Sequence, residues 1–444
     1  MSKRLFAIVV AIALASSLRP AAAEDLLQIY REALANDPVL ASARASWLAT
    51  QEAVPQARAG ILPAASLAGS ANLNNYHANI RTDPPADFTR NFNQGSYTVS
   101  ASQPLYRKQN WVALDQASEQ VGQSDYVLAS SQQDLIVRVT QAYLDVLLAQ
   151  FNIELTESQK AAVSENLAQA KRNFEVGTAT ITDTNDAQAK YDQIVAQQIS
   201  VRNDLDNKLA ALRAIIGHAP RELKRFGDQF NPQPPSPSEL DAWIEKALRD
   251  NPQVRIAQYN FDIATLEVDK QRAAYYPTLD LVASFNQAAG NGSTQLANSF
   301  DQRQAIIGVQ VNVPLYTGGL IESRVRQAIA NQDRARQDLE TARRNAQLLA
   351  QTGFSGVTSG AAQVKAFEQA LTSAQVSYDS NRLGLEVGVR TNLDVLIQQQ
   401  QVFQTRFNLT QSYYNFLINN LRLKQAAGTL TEADVEAINR DLVG

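Results

Sequence analysis

Residues 135–153, LIVRVTQAYLDVLLAQFNI, repeat apolar side chains at steps of three and four residues. The members of this series are Leu135, Val139, Ala142, Val146, Ala149 and Ile153. Such alternating steps bring side chains to one face of an α-helix, as in a coiled-coil seam. The series continues with Val163, Leu167, Ala170 and Phe174. The stretch therefore predicts a long helix that packs lengthwise against other helices.

The predicted helix is long because no proline interrupts the chain between Tyr106 and Ala219. A helix over about 107–176 would extend roughly 105 Å at about 1.5 Å per residue, too long for a compact domain. Gly177 suits a tight turn after it, because glycine adopts positive φ at little cost. A return helix is expected over about 183–217, so that the two helices form a hairpin.

The segment that precedes this helix, between Pro63 and Pro104, repeats apolar residues at every second position, and so does the segment between Pro277 and Pro314. This alternation predicts strands with one apolar and one polar face, of the length that a membrane barrel uses. The expected strands lie at about 63–77, 95–105, 277–287 and 304–315, joined by polar loops over Asn74–Gln94 and Gln287–Arg303. Some nearby aromatic residues are expected at the membrane interface: Tyr76, Phe88, Phe92, Tyr97, Phe285 and Phe300.

The second half of the chain repeats the first. Ala33–Pro38 matches Ala247–Pro252 at an offset of 214 residues, and Glu175-Val176-Gly177 recurs as Glu386-Val387-Gly388 at 211. An ordered series of matches predicts two equivalent supersecondary units. The expected organisation is a first repeat at 24–217, a Pro-rich connector at 218–240, a second repeat at 238–428 with a long helix to about 387 and a return helix at about 392–428, and a short acidic tail at 429–444 packed on the outside.

Four strands cannot close a barrel by themselves. Their open edges would leave unpaired backbone groups in hydrocarbon, each at a cost of several kcal/mol. Two copies would give eight strands, which fill their own interior, whereas three would give twelve and leave a lumen. The pattern alone therefore favours an oligomer of three or more copies, and the edge of a soluble β-sandwich is the other interpretation of these strands.

The N-terminus indicates export. Lys3 and Arg4 precede an apolar stretch from Leu5 to Leu18, and small residues then lead to Glu24, which is typical of a cleaved signal peptide over 1–23. Cleavage removes three of the 40 basic residues and leaves 37 against 44 acidic ones, a net charge of −7. That charge argues against a nucleic-acid partner. No other apolar run is long enough for a transmembrane helix.

Catalysis is not indicated by any motif. The chain has no cysteine, and His77 and His218 are its only histidines, so thiolate metal sites are excluded and histidine chemistry is poorly supported. Nucleophile elbows, phosphate loops and metal-ligand clusters are also missing. We therefore expect neither an enzyme nor a cofactor.

Two motifs, Val176–Asp183 (VGTATITD) and Val387–Leu396 (VGVRTNLDVL), occur one per half. With the two-half pattern of helix, two strands, long helix and return helix, the chain resembles TolC-type outer-membrane factors over essentially its whole mature length. The resemblance implies a homotrimer with a twelve-stranded outer-membrane β-barrel in lipid, continued by a periplasmic tunnel of α-helical coiled coil. It also implies docking to a periplasmic adaptor and an inner-membrane transporter, and export of drugs or type I secreted proteins.

The same resemblance assigns the hairpin turns to adaptor docking and the second hairpin to the periplasmic entrance. The implied docking residues are Val176, Gly177, Thr178, Thr182, Val387, Gly388, Val389 and Thr391. Capping of the following helices is a first explanation for Thr182, Asp183, Thr391 and Asn392. In the oligomer, one Asp394 side chain from each copy would form a ring of like charges around the pore, and such a ring would attract cations. The second acidic position of the family is Ile397 in this chain, which suggests a partly apolar constriction.

Arg390 matches a family arginine that links the inner hairpin to an acidic residue of the outer one, which corresponds to Asp183. We therefore expect an Asp183–Arg390 ion pair, the ion-pair latch, to hold the entrance closed. A tyrosine of the family latch is replaced by Leu385, which would weaken it. A solvated arginine on a helix face is the simpler interpretation, and an exposed pair contributes only about 0–1 kcal/mol.

A different class of protein, the periplasmic coiled-coil adaptor, is the alternative function. An adaptor would have a soluble β domain and one helical hairpin. Two equivalent hairpins and four barrel-like strands favour the channel instead.

Overall fold

The computed structural model describes residues 23–81, 83–178, 180–227, 231–295 and 298–443. Residues 1–22 of the predicted signal peptide lie outside this range. The helices are α1 (Leu26–Asn36), α2 (Pro38–Gln51), α3 (Ala53–Ala59), α4 (Lys108–Glu175), α5 (Ile181–Ile216), α6 (Leu240–Asp250), α7 (Pro252–Arg272), α8 (Leu320–Glu386), α9 (Asn392–Ala426) and α10 (Glu432–Arg440). The strands are β1 (Ala64–Ile80), β2 (Ala86–Tyr106), β3 (Arg225–Phe226), β4 (Thr278–Gly290), β5 (Phe300–Asn312) and β6 (Leu442–Val443).

The chain forms two compact units. The first contains the described residues of Met1–Ala45, Val127–Arg255 and Ala342–Gly444. The second contains Ser46–Tyr126 and Ile256–Thr341, with the four long strands. The expected long and return helices correspond to α4, α5, α8 and α9, whose ends lie within two residues of the expected ones.

A hydrophobic core stabilises the first unit. Leu135, Val139 and Val146 of the apolar stretch 135–153 are fully buried there. They belong to one cluster with apolar side chains of α1, α5 and α9. The prediction of a packed seam on α4 is therefore confirmed at these positions, because the side chains on one helical face share one core.

The four long strands form an antiparallel sheet in the order β1-β2-β4-β5. The observed strands are longer than expected, since β1 pairs with β2 along its whole length from Ala64–Ser102 to Ile80–Ala86. The expectation of a polar loop over Asn74–Gln94 is therefore wrong. Cross-strand hydrogen bonds explain why these polar residues form strands: the Asn75 amide donates to Asn91 Oδ1 at 2.6 Å.

The second expected loop, Gln287–Arg303, is also shorter in the structure. β4 continues to Gly290 and β5 begins at Phe300, with Gly290 opposite Phe300 in the antiparallel ladder. The strand ends carry polar residues, and the strands were predicted from alternating apolar side chains, so the predicted strands are too short.

The connector and the C-terminal tail pack onto the first unit. Within the connector, β3 pairs with β6 of the tail, and Leu223 bridges to Glu24. Val435 of α10 is fully buried in the core, whereas Ala433, Ala437 and Arg440 are exposed, so the tail packs against the first unit through one face. Val435 and Ile438 lie three residues apart, which puts them on one apolar face of α10.

None of the helices within the described ranges is both long and apolar enough to cross a membrane.

A buried carboxylate marks the start of α2. Asp37 accepts a 2.8 Å hydrogen bond from the Leu40 amide and pairs with Arg138, with a 2.9 Å distance between Asp37 Oδ2 and Arg138 Nη2. Burial by itself raises the pKa of Asp37, but the hydrogen bonds from Arg138 and the Leu40 amide outweigh burial and lower it. Asn251, the repeat equivalent of Asp37, accepts from the Gln253 amide at the start of α7.

We predict that Asp37→Asn keeps the helix cap but lowers the free energy of unfolding by about 1–3 kcal/mol at pH 7, because the charged hydrogen bonds to Arg138 are lost. The lowered pKa means that this stabilisation is present above about pH 4 and disappears as the pH falls through the folded pKa. The melting temperature of the detergent-solubilised protein, measured at pH 7 and at lower pH, should fall less on acidification in the variant than in the unsubstituted protein.

The matched control is Asp134→Asn, which removes the exposed partner of the same arginine. That change should cost only about 0–1 kcal/mol. Equal melting temperatures for the two variants at both pH values would contradict the role given to Asp37.

Candidate functional site

The sheet has one apolar face. Leu67, Val99, Phe285 and Ala305 lie opposite one another across the four strands, and Ala65, Ala101, Ala283 and Ile307 form the adjacent row. Many of these side chains are exposed: Leu67 is 73% and Ile307 is 78% accessible. An apolar surface of this extent on a soluble monomer is unusual and indicates contact with lipid or another chain.

The opposite face of the sheet is polar where it backs this apolar surface. Ser66 and Ser100 share a 2.8 Å hydrogen bond between their hydroxyl groups, and Ser70 and Ser96 share one of 2.9 Å. The Asn286 amide donates to Thr98 Oγ1 at 2.7 Å. The sheet can therefore separate hydrocarbon from water, with one solvent on each side.

The two outer strands have open edges. In the described chain, β1 has only β2 as a neighbour in this sheet, and β5 has only β4. Each edge presents unpaired backbone amide and carbonyl groups, which require partners in a membrane.

The turn after α4 is a helix-terminating glycine turn. Gly177 has φ 78°, and the Gly177 and Thr178 amides donate to the Phe174 and Asn173 carbonyls at 3.0 and 2.8 Å. This is the Schellman pattern, in which a left-handed residue closes the helix end. A Cβ on Gly177 would meet no atom within 4 Å, so backbone conformation rather than space requires glycine there.

The turn after α8 repeats this geometry. Gly388 has φ 80°, its amide donates to the Leu385 carbonyl at 3.1 Å, and the Val389 amide donates to the Gly384 carbonyl at 2.9 Å. The turns present exposed apolar side chains: Val176, Val387 and Val389 are 73%, 66% and 75% accessible. The candidate docking residues of both halves thus lie on two equivalent turns or at the start of the helix that follows each turn. Ala179 of the first motif lies outside the described residues.

Threonine starts each return helix. Thr180 is the N-cap of α5 and Thr391 the N-cap of α9, and each forms a reciprocal capping box with an aspartate three residues later. The capping explanation is therefore confirmed for Thr391. For the first hairpin it belongs to Thr180 instead of Thr182, which lies within the first turn of α5, and Asn392 likewise follows the cap.

The two cap aspartates are Asp183 and Asp394. Asp394 Oδ2 accepts from the Thr391 amide at 2.9 Å and from its hydroxyl at 2.8 Å. These hydrogen bonds lower the pKa of Asp394, and the equivalent bonds from Thr180 lower the pKa of Asp183. Both carboxylates are therefore charged at neutral pH, and Oδ2 of each is used by the cap.

Asp183 and Arg390 do not pair within one chain. The Asp183 carboxylate is hydrogen-bonded to Thr180, and no ion pair joins these two residues among the described part of the chain. The Arg390 amide donates to the Gly384 carbonyl at 3.1 Å, and its side chain is exposed. The ion-pair latch therefore stays a prediction, and we expect it between copies.

The two hairpins are instead joined by a reciprocal amide pair, the amide clasp of Asn166 and Asn392. The Asn166 amide donates to Asn392 Oδ1 at 2.7 Å, and the Asn392 amide donates to Asn166 Oδ1 at 2.6 Å. One turn away, Leu396 of α9 packs with Val163 of α4 and Ile194 of α5. Sequence reasoning missed Asn166, since asparagine beside a helical seam is common on solvated faces.

A model of the outer membrane efflux protein family matches residues 29–218 and 243–429. Outer membrane protein TolC of Vibrio cholerae is 35% identical, over 99% of this chain and 99% of that protein. Alkaline protease secretion protein AprF of Pseudomonas aeruginosa is 32% identical, over 94% of this chain and 87% of that protein.

Solved structures share the fold. The outer membrane protein VceC of Vibrio cholerae has a TM-score of 0.76 at 19% identity and covers 91% of this chain and 96% of its own. The CmeC outer membrane channel of Campylobacter jejuni has a TM-score of 0.77 at 16% identity, with 94% and 89% covered.

We predict that Thr391→Ala frays the start of α9, because the capping box contributes about 0.5–2 kcal/mol. Hydrogen exchange of the Asp394 and Val395 amides, which donate to Thr391, should accelerate by roughly 2- to 30-fold, whereas Thr391→Ser should leave it nearly unchanged. Thr180→Ala should act in the same way on α5 alone. Equal exchange in Thr391→Ala and Thr391→Ser would contradict the capping role.

Proposed function

This chain belongs to the outer membrane efflux protein family, and from that premise we propose that three copies form an export channel of the outer membrane. The strands close a barrel in the lipid, and the helical hairpins line its periplasmic entrance. The observation that carries the proposal is the four-stranded sheet, which has one apolar face, one polar face and two open edges. The channel performs no chemistry on what it exports.

The number of copies follows from the edges. β5 of one copy would pair with β1 of the next until the ring closes, which removes every open edge. Three copies give twelve strands, enough to leave a water-filled lumen lined by the serine-rich face. The alternative of a periplasmic adaptor is disfavoured, because it leaves this apolar face and both edges unexplained.

The hairpin turns would bind the rest of the export machinery. Exposed Val176, Val387 and Val389 flank the two turn glycines, and an apolar tip of this kind suits a groove on a periplasmic adaptor protein. Thr178 and Thr182 lie beside the first tip. The adaptor would in turn join an inner-membrane transporter. Relatives named for protease secretion and for efflux support export of either secreted proteins or small molecules.

The entrance would be formed by the second hairpin. Three copies of Asp394 would place charged carboxylates around the passage, and Ile397, which is 48% accessible, would follow them one turn later. The amide clasp would hold this hairpin against the first one, and the ion-pair latch would add contacts between copies. Opening then requires that these polar contacts break, because the helices themselves are stiff.

We predict that the purified protein forms discrete, cation-preferring channels in planar lipid bilayers, and that Asp394→Asn lowers this preference because the ring loses its charge. Reversal potentials in a salt gradient measure the effect. Ile397→Ala is the matched change, since it should raise conductance without altering ion preference. An unaltered preference in Asp394→Asn would move the constriction to another residue.

Opening should depend more on the amide clasp than on the ion-pair latch. Two hydrogen bonds contribute about 1–3 kcal/mol per chain, whereas an exposed ion pair contributes about 0–1 kcal/mol. Asn392→Ala should therefore raise the open probability in bilayers more than Arg390→Ala, and both should exceed Arg382→Ala, an exposed arginine of the same hairpin.

Each part of this comparison can fail separately. If Arg390→Ala behaves like Arg382→Ala, the ion-pair latch does not hold the entrance. If Asn392→Ala also behaves like Arg382→Ala, and hydrogen exchange shows that α9 is still folded, the amide clasp does not hold the entrance closed.

A further inference from the structure

A cavity of about 730 Å³, the α9 cavity, opens among residues of α2, α4, α7, α8 and α9. Every residue that lines it belongs to the first unit. Its volume lies within the range of roughly 300–1,000 Å³ that is usual for small-molecule sites. One chain supplies the whole cavity, so its existence does not depend on the number of copies in the channel.

Three polar side chains of α9 contribute to the lining. Asn419, Arg422 and Gln425 follow one another at steps of three residues, which brings them to one side of the helix. Arg422 is exposed, and Asn419 and Gln425 are half-buried. None of the three side chains has a hydrogen-bond or ion-pair partner within the described chain. Their donors are therefore available to a ligand.

Other parts of the lining are apolar. Val39 of α2 and Leu349 of α8 line the cavity and are 56% and 55% accessible. Pro252 and Ala426 add smaller apolar surfaces. Small-molecule sites commonly combine apolar walls with a few polar groups that fix the orientation of the ligand. The α9 cavity therefore suits an amphipathic molecule, with an apolar body and a polar group that accepts hydrogen bonds.

Arg422 decides the charge that the cavity favours. Asp134 also lines it, but Asp134 Oδ2 lies 2.7 Å from Arg138 Nε and is paired. The start of α7 offers an anion little, because Asn251 Oδ1 already accepts from the Gln253 amide at 2.8 Å. The guanidinium of Arg422 remains as the unpaired charge, and its planar donors match a carboxylate through two parallel hydrogen bonds.

The internal repeat shows that folding of the return helix does not require these polar side chains. Gly428 after α9 corresponds to Gly217 after α5 at an offset of 211 residues. At the same offset, Arg422 and Gln425 correspond to two alanines, Ala211 and Ala214. The return helix of the first half thus ends in the same way without an arginine or a glutamine there. A ligand explains why the second half carries both.

We propose that the α9 cavity is a binding site for a small amphipathic carboxylate. The carboxylate pairs with Arg422, Asn419 and Gln425 donate to its remaining oxygen lone pairs, and the apolar body lies against Val39 and Leu349. This site goes beyond the proposed function, which requires a passage but no binding site in the wall of the channel. An amine of the same size would place a second positive charge beside Arg422 and would be rejected.

Photo-cross-linking with para-benzoylbenzoate tests the site, because this probe joins a carboxylate to an apolar benzophenone that reacts with nearby C–H bonds under ultraviolet light. The full chain, extracted in a neutral detergent, is irradiated with increasing amounts of probe, and peptide mass spectrometry locates the label. We expect saturable labelling of the peptides that contain Val39 or Leu349. The corresponding amine, para-benzoylbenzylamine, should label them at least about five times less, because Arg422 repels it.

Arg422→Gln should lower the labelling by the carboxylate at least about fivefold, because the charged hydrogen bonds are lost. Arg406→Gln is the matched control, since Arg406 is an exposed arginine of α9 that does not line the cavity. Leu349→Trp is a second variant, which fills the cavity from its apolar side and should lower the labelling with Arg422 in place. Unchanged melting temperatures show that the variants are folded.

Three results would each overturn the inference: no saturable label on the cavity wall, equal labelling by the carboxylate and the amine, or equal labelling of Arg422→Gln and Arg406→Gln. The proposed function is tested separately, by the number of copies and by conductance in bilayers. Because one chain supplies the whole cavity, a failure of the proposed channel would appear in those measurements and leave the labelling unchanged.

Discussion

Backbone hydrogen bonding in hydrocarbon is the constraint on which this molecule depends. A strand edge cannot be left open inside a membrane, because each unpaired amide or carbonyl group costs several kcal/mol. The described sheet has two such edges, on β1 and β5. It also exposes an apolar face, which is unusual for a single soluble chain. In the proposed channel, assembly is therefore part of folding, and the pore is its consequence.

The turns of the helical hairpins depend on local sequence and not on assembly. Their turns are specified locally, by a glycine of positive φ and a threonine–aspartate capping box, and both repeats use the same solution. The contacts between the hairpins are not repeated in this way. Near the turns they include the amide clasp and the small apolar cluster of Leu396, Val163 and Ile194. In the proposed channel, these are the contacts that break when the entrance opens.

The sequence was most informative where a local rule determines the structure. Glycine turns, the seam through Leu135 and Val139, and the alternating residues of the four strands could all be predicted. The polar ends of β1 and β2 could not, because Asn75 and Asn91 form a cross-strand pair that no apolar period reveals. The burial of Val435 in the core and the Asn166–Asn392 pair were not predicted, since both depend on contacts between residues far apart in the chain.

The number of copies tests the central claim most directly, since closure of the open edges is what makes the chain a channel. Native mass spectrometry of the detergent-extracted protein measures it without any substitution. We expect the mass of three mature chains, stable to dilution, because three four-stranded sheets close one barrel that leaves a lumen. A folded, membrane-extracted species of one or two chains would contradict the account, since four strands leave open edges and eight leave no passage.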